Sequence, residues 1–463
     1  MKALQIQQRT LFLLIGIFAS IYVVSAVELL VYAGLALHAL RGPKQALESL
    51  SLMFVLLMAN PGVISGSGKS LRWGVLIAGF GGTLLHAASN TTKKDSQSNP
   101  IVTYIWIFFL IMLPVSLFTS KIAVVSTFKL LSFFMGTFTI LYCFRQTQYL
   151  KDHWKNWFTT IFTFMTVGSF LILPLGLGYL RNGSGFQGLF NHPQTMGPVG
   201  AIMATWFLGI YLFSREKKSI WYLVMGGLCI FFIFLSQARI GLAMIAGGFV
   251  FAYLAFIGSG KIVRIPRAGK NMIALSVFAF LVLLAYDASS ITNFFTEFLQ
   301  KRTEGAELSE VVYESRGFLI AASMQNFYDF PVFGIGFGVP TDYESGFRNM
   351  STFMGIPTGA SIEKGFMPSA VLEETGLIGA TLTVILIATL IITVNRKHQF
   401  HVLWLLMTTL LLNVGEAVLF SFGGLGLFAW LMFGFSYNQA IYSNQKIIPK
   451  ITHEDIEHRR RAS

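Results

Sequence analysis

The sequence predicts an all-α integral membrane protein: a bundle of about 12–14 transmembrane helices with one large, partly helical extracytoplasmic loop. Three observations lead there. The 463 residues are 54% hydrophobic and only 12% charged, about half the charged fraction usual in soluble proteins. Apolar runs such as 11–27, 101–119, 272–286 and 377–394 approach the length that crosses about 30 Å of hydrocarbon as a helix. They are continuous rather than alternating, which excludes a β-barrel. Third, one long polar segment, 289–365, interrupts the apolar pattern. It holds nine of the 21 acidic residues against five basic ones, so it is net −4 in a chain of net +13.

Taken in order, the predicted spans are 11–38, 45–60, 71–88, 101–119, 121–144, 157–180, 195–213, 219–236, 239–258, 271–288, 368–394, 400–414 and 417–438. The first divides into two short spans if it breaks near Glu28. The basic opening residues and the apolar stretch behind them resemble a signal peptide, but no small-residue cleavage site follows, so they read as the first span. Four regions result: N-terminal transmembrane helices (1–288), the large loop (289–367), C-terminal transmembrane helices (368–440) and a polar tail (441–463).

Orientation follows from the short basic loops. Arg145, Lys151 and Lys155 mark one side. Arg215, Lys217 and Lys218 mark it again, as do Lys261, Arg264, Arg267 and Lys270, then Arg396 and Lys397, then Arg459, Arg460 and Arg461. Even numbers of spans separate all five clusters, so all are expected to be cytoplasmic, and 181–194, 236–239, 289–367 and 414–417 face outward. In the N-terminal third the rule is silent, because Lys69 and Arg72 oppose Lys93 and Lys94 across one span. The positive balance therefore reads as topology signalling rather than nucleic-acid binding. Cys143 and Cys229 lie inside spans and read as packing residues. Within the loop, 289–302 reads either as a surface amphipathic helix or as a continuation of the preceding span. Residues 310–327 read as a helix stopped by Pro331, GIGFG at 334–338 as a tight turn, and 342–360 as irregular.

Two motif look-alikes fail on context. GSGKS at 66–70 lacks the upstream glycine and strand of a phosphate-binding loop. GIGFG follows a helix and a proline, not the strand of a dinucleotide fold. The informative clusters all map to the outward side. NHPQTMG at 191–197 places Asn191 as an N-cap before Pro193, at a helix start suited to anions. SQARIG at 236–241 starts another helix with Arg239. Glu314, Ser315 and Arg316 open the loop helix. Glu363 and Lys364 lead to Pro368, which opens a span carrying Glu373 and Glu374. Carboxylates there are expensive in lipid, so at least one is expected to face a polar cavity. Glu416 ends a later span on the same side. Helix N-termini, arginines and boundary carboxylates together suit a multiply charged anion, such as a diphosphate, with a base beside a hydroxyl. No metal cluster and no cofactor is expected, since the eight histidines are scattered.

The ordered set NHPQTMG, SQARIG, ESRGFLIAASMQNFYDFPVFGIGFG and KGFMPSAVLEETGLIG resembles the O-antigen ligase/polymerase family of bacterial glycan-assembly membrane proteins, over roughly 190–433. The resemblance implies a metal-independent glycosyltransferase of the bacterial inner membrane, its active site extracytoplasmic and its C-terminus cytoplasmic. It also implies a polyprenyl-diphosphate-linked oligosaccharide donor and a lipid-linked glycan or lipid A–core as acceptor. Flippase and chain-length regulator proteins are the implied partners, and nucleic acid is not one. Carried over by position, Arg239 and Arg316 bind the donor diphosphate, joined by Lys364. Ligases carry a histidine just before the last long span, where this chain has Glu363, Lys364 and Gly365. Glu363 then serves as catalytic base, with His192 as a second candidate. Asn191, Glu314, Glu374 and Glu416 are the expected supporting residues. Polymerisation of repeat units is the favoured activity and ligation to lipid A–core the alternative. A lipid-linked oligosaccharide flippase is the rival of another class, and a non-catalytic scaffold the remaining one.

Overall fold

The computed structural model describes residues 6–64, 66, 71–89, 100–180, 185–213, 219–263, 317–343, 352–353, 356–357, 364–396 and 399–442. The predicted span 271–288, the segment 289–302 and the tail beyond Tyr442 lie outside them, as do Glu314, Arg316, Glu363 and the side chain of Arg239. Among the described residues the regular structure is helical apart from a two-residue antiparallel ladder, Thr352–Phe353 with Ile356–Pro357, and two isolated bridges.

Among the described residues, ten α-helices precede the large loop: α1 Gln8–Val23, α2 Val27–Ala39, α3 Pro43–Leu57, α4 Arg72–Ser89, α5 Pro100–Pro114, α6 Ala123–Gln146, α7 Lys151–Leu171, α8 Pro193–Phe213, α9 Ile220–Ser236 and α10 Arg239–Gly258. Within the loop lies α11, Phe318–Asp329. The long helix α12 (Met367–Asn395) follows, then α13 (Phe400–Gly415) and α14 (Leu425–Tyr442). The first predicted span is indeed two helices, separated at 24–26. A π-helical turn, Val115–Thr119, extends α5. Pro114, the last residue of α5, lacks a backbone donor for the turn before it.

Two boundaries differ from expectation. The span predicted over 157–180 ends at Leu171, and the chain then loops back to bond Gln187 and Gly188 to the Gly178 carbonyl. The span predicted over 417–438 begins only at Leu425. Gly423 lies so close to Arg72 that an added Cβ would sit 2.7 Å from the guanidinium, and Gly424 has φ +53° against Met58. Apolar residues continue through 417–422, so hydropathy alone conceals this turn.

Successive helices alternate between two ends of the bundle. At one end gather Arg145 beside Tyr437, the start of α7, Lys261 on the Asn395 carbonyl, and Glu48 accepting from His38 (3.0 Å) and His153 (3.1 Å). This basic end unites the described members of the loop clusters that the sequence assigns to one side. At the other, loop end, Ala59 bridges Phe190, and Asn60 Nδ2 donates to the carbonyls of Leu177 (2.7 Å) and Gly188 (2.8 Å). Arg72 belongs to the loop end, which the basic-loop rule alone leaves open.

Five described helices or helix pairs are long and apolar enough to cross a membrane: Pro100–Thr119, Ala123–Gln146, Pro193–Phe213, Ile240–Gly258 and Met367–Asn395. Their outward flanks expose large apolar side chains such as Leu110, Leu254 and Val384, as a lipid-facing surface requires. Helix α14 is buried almost all round, the pattern of a central helix. Its Trp430 is fully buried and meets Phe133 of α6 at 5.6 Å.

Candidate functional site: a charged joint at the loop end

The segment after α11 does not lie over the bundle as a simple turn. Pro331 ends the helical run, and residues 331–339 then enter the bundle between α6 and α12. Gly334, Gly336 and Gly338 all have positive φ. Ile335, Phe337 and Val339 are fully buried. Phe337 enters the aromatic core, with ring centroids 4.5 Å from Phe420 and 5.7 Å from Phe133.

Helix α12 is built to receive this segment. Gly376 interrupts it with φ 58° and ψ −163°, a backbone region that only glycine adopts without strain. The break frees backbone groups that helical geometry would have paired. Ile335 and Gly336 donate to the carbonyls of Glu373 (2.8 Å) and Glu374 (3.1 Å), while the N–H groups of Leu377 and Ile378 donate to Pro331 (2.8 Å) and Val332 (3.3 Å). Non-helical backbone at membrane depth is tolerable only when buried partners satisfy it, and here the glycine segment supplies them. From the other side the Lys121 N–H donates to the Ile335 carbonyl (2.8 Å) and Phe337 N–H to Ser126 Oγ (2.8 Å).

Four charges close the joint. Glu373 is fully buried. It accepts from Asn326 Nδ2 of α11 (2.7 Å), Lys364 Nζ (2.9 Å) and Thr341 Oγ1 (3.2 Å). Glu374 accepts from the Gly338 N–H (2.6 Å) and pairs with Lys129 Nζ of α6 (3.3 Å) and Lys364 Nζ (3.4 Å). Two lysines and two glutamates cancel in formal charge. Gly338 is required for a steric reason: an added Cβ would lie 1.8 Å from Lys129 Cδ, in the space through which that lysine reaches Glu374.

This geometry revises three sequence expectations. Glu374 faces lysines, not an open polar cavity. Lys364, expected on a diphosphate, is 5% exposed and lies between two carboxylates; an anion would have to displace both. Asn191 is not the N-cap of α8. His192 takes that position, its Nδ1 accepting from the Gln194 N–H (3.1 Å), while Asn191 Oδ1 accepts from Thr195 Oγ1 (2.9 Å). The ring of His192 is exposed at the start of α8. Glu416 is half-buried at the C-cap of α13.

The two other motifs meet each other at the same end of the bundle. Arg239 opens α10, after Gln237 turns the chain at φ 54°. A Cβ on Gly241 would lie 2.7 Å from the Gly197 carbonyl, and one on Gly197 would lie 2.3 Å from Ala238 Cβ. The first turns of α8 and α10 are thus in backbone contact, and both helix N-termini open at the loop end.

Sequence reasoning missed Lys129, Asn326, Thr341 and Lys121, whose Nζ stacks 3.9 Å above the Phe330 ring. Lys129 had a legible signal. It is the one ionisable residue in the middle of the apolar run 121–144, and an intramembrane cation requires a named counter-charge. No protein-family model matches the chain, and no curated protein matches it. Among the described residues, fold and site thus define a helical protein with helices suited to a membrane and a neutral four-charge joint at the loop end of the bundle.

Proposed function

We propose that this chain is a membrane glycosyltransferase acting at the loop end on a polyprenyl-diphosphate-linked glycan. The observation that carries the reading is convergence. Four motifs spread over 191–379 meet at one end of the bundle, two as joined helix starts and two as the interlocked glycine segment and broken helix.

In this reading Arg239 and Arg316 neutralise the diphosphate leaving group as its bond to the anomeric carbon breaks, an electrostatic stabilisation of developing charge. Glu363 accepts the proton of the acceptor hydroxyl as the new glycosidic bond forms. Direct displacement inverts the anomeric centre. His192, exposed at the start of α8, is the second candidate for accepting that proton. Lys364 and Glu374 belong to the joint and position Glu363, one residue away, rather than touch phosphate. Glu314, beside Arg316, orients that arginine. The favoured acceptor is a second lipid-linked repeat unit, making the chain a surface-polysaccharide or exopolysaccharide polymerase. Transfer to lipid A–core, the ligase activity, is the alternative. The loop end is extracytoplasmic, the basic end and C-terminus are cytoplasmic, and the membrane is the bacterial inner membrane.

A flippase reading calls for broken helices around a polar path. The break at Gly376 supplies a broken helix, but the chain's own 331–336 backbone fills it and its charges cancel. This favours a fixed site over a conduit. The surface glycan of a strain lacking the gene tests the proposal. Retention of a single capped repeat with loss of long polymer supports the polymerase. Loss of all polymer from lipid A–core, with lipid-linked polymer accumulating, supports the ligase. An unchanged glycan profile contradicts both.

A further inference from the structure

At the basic end, remote from the joint, one carboxylate stands between two imidazoles. Glu48 of α3 is 8% exposed. Its Oε2 lies 3.0 Å from His38 Nε2 at the end of α2. Its Oε1 lies 3.1 Å from His153 Nε2, in the first turn of α7, and 3.5 Å from Lys44 Nζ. The other side of the His153 ring meets the residue that leads into α1. Gln7 Nε2 lies 3.2 Å from His153 Nδ1 and donates to the His153 carbonyl (3.1 Å). Gln7 Oε1 accepts from Thr10 Oγ1 (3.0 Å), and the Gln7 N–H donates to Thr160 Oγ1 of α7 (2.9 Å). Beyond this point α1 leans on the bundle along a single stripe, Thr10, Leu14, Phe18 and Ile21, with Phe18 meeting Phe164 of α7 at 5.0 Å.

These partners fix where the protons sit. A backbone carbonyl and an ionised carboxylate only accept. The nitrogen of the Gln7 amide therefore faces the His153 carbonyl, and His153 donates from Nε2 to Glu48. The same Gln7 nitrogen reaches Nδ1, which can accept from it only in the neutral ring. Protonation adds a hydrogen at Nδ1 and leaves two donors 3.2 Å apart. Turning the Gln7 amide over does not restore the contact, because Oε1 would then face the His153 carbonyl, acceptor against acceptor. The Glu48 side keeps its bond in both states, since Nε2 carries a proton in each. The other ionisable groups around the ring are Lys44 and His38, both on the Glu48 carboxylate, with Asp152 beside it on α7 and Arg9 and Tyr149 nearby, all three exposed. Helix α9 meets α7 further along, at Thr166 through Cys229. Among the described residues His153 is the ionisable group that Gln7 contacts.

We propose that His153 is a pH-sensitive latch for α1. Neutral, it accepts from Gln7 and holds the start of α1 on α7. Protonated, it releases that amide while keeping Glu48. Imidazole titrates between about pH 5 and 8, so the latch opens as the solution on that side turns acidic and closes as it returns to neutral. The device is separate from the joint at the loop end and independent of the glycosyltransferase reading.

Hydrogen-exchange mass spectrometry of the full chain in mild detergent tests this at about pH 5.5 and 7.5, with exchange times scaled for the intrinsic effect of pH. The first turns of α1 should exchange about fivefold faster at the lower pH, the effect of losing one ordinary hydrogen bond, while α9 stays unchanged. His153→Gln, which keeps a donor for Glu48 but does not titrate, should remove the difference, and His38→Gln should retain it. Gln7→Glu places an acceptor-only carboxylate beside Nδ1 and should invert the sign, protecting α1 better at the lower pH; it carries the test if His153→Gln does not fold. No pH difference in the parent chain would overturn the proposal. So would a difference that survives His153→Gln or vanishes in His38→Gln, or an unchanged sign in Gln7→Glu.

Discussion

Lys129 illustrates how one residue decides what its surroundings must be. A lysine inside an apolar helix is stable only beside a fixed counter-charge, and Glu374 supplies it at 3.3 Å with Lys364 and the Gly338 N–H completing the set. Such a network contributes little net stability over an apolar core, but loss of one member leaves an uncompensated buried charge. Lys129→Met should therefore destabilise the protein by about 3–5 kcal/mol, read as a lowered melting temperature in detergent. The Lys129→Met/Glu374→Met pair should recover part of that loss, and the difference measures the coupling. A single variant as stable as the parent would show that the pair is not buried as described. The identities of these charges were legible in the sequence; their partners were not. Glu373 and Glu374 are separated from Lys129 by more than 240 residues, and nothing local marks which cation answers which anion. His192 was legible as a helix-start residue, but its hydrogen bond with the Gln194 N–H is one that only coordinates reveal.

At the scale of elements, hydropathy placed the helices well wherever a span ends at charged or turn-forming residues. It failed where apolar side chains continue through a turn, as before α14. It was also blind to the break in α12. Leu377, Ile378 and the residues beyond Gly379 continue an ordinary apolar pattern, and a glycine inside a membrane helix is common. The break exists because the 331–336 backbone pairs with it, a long-range event. Gly376→Ala should therefore be severe: it forces a side chain into glycine-only backbone at a cost of about 1–3 kcal/mol. The new Cβ would also lie 2.3 Å from the Val332 carbonyl. The expected result is a lower melting temperature together with faster proteolysis in the large loop, since the segment that anchors the loop loses its socket. By contrast Gly227→Ala, on the helix α9 and with open space around it, should leave both readouts within error.

For the whole molecule, the organising feature is the contrast between two ends. Among the described residues the basic end gathers Arg145, Lys151, Lys155, Lys261 and Arg396, and the loop end gathers the joined helix starts and the charged joint. The rule that basic loops stay cytoplasmic then predicts which end each residue labels from. Cys143 and Cys229 are buried and should not interfere with thiol probes. A cysteine in place of exposed His192 should react with a membrane-impermeant maleimide in intact cells. One in place of Lys151 should react only after the membrane is opened. The reverse pattern would invert the proposed topology.

The central claim, glycosyl transfer at the loop end, is tested most directly by reconstituting the full chain in proteoliposomes with a polyprenyl-diphosphate-linked repeat unit. Free polyprenyl diphosphate and lengthened glycan should appear together. Both should vanish in Arg239→Ala and Arg316→Ala proteins that insert and melt like the parent. Undiminished product from either variant would remove that arginine from the mechanism. No turnover by the parent chain, with repeat unit or lipid A–core as acceptor, would contradict the enzyme reading itself.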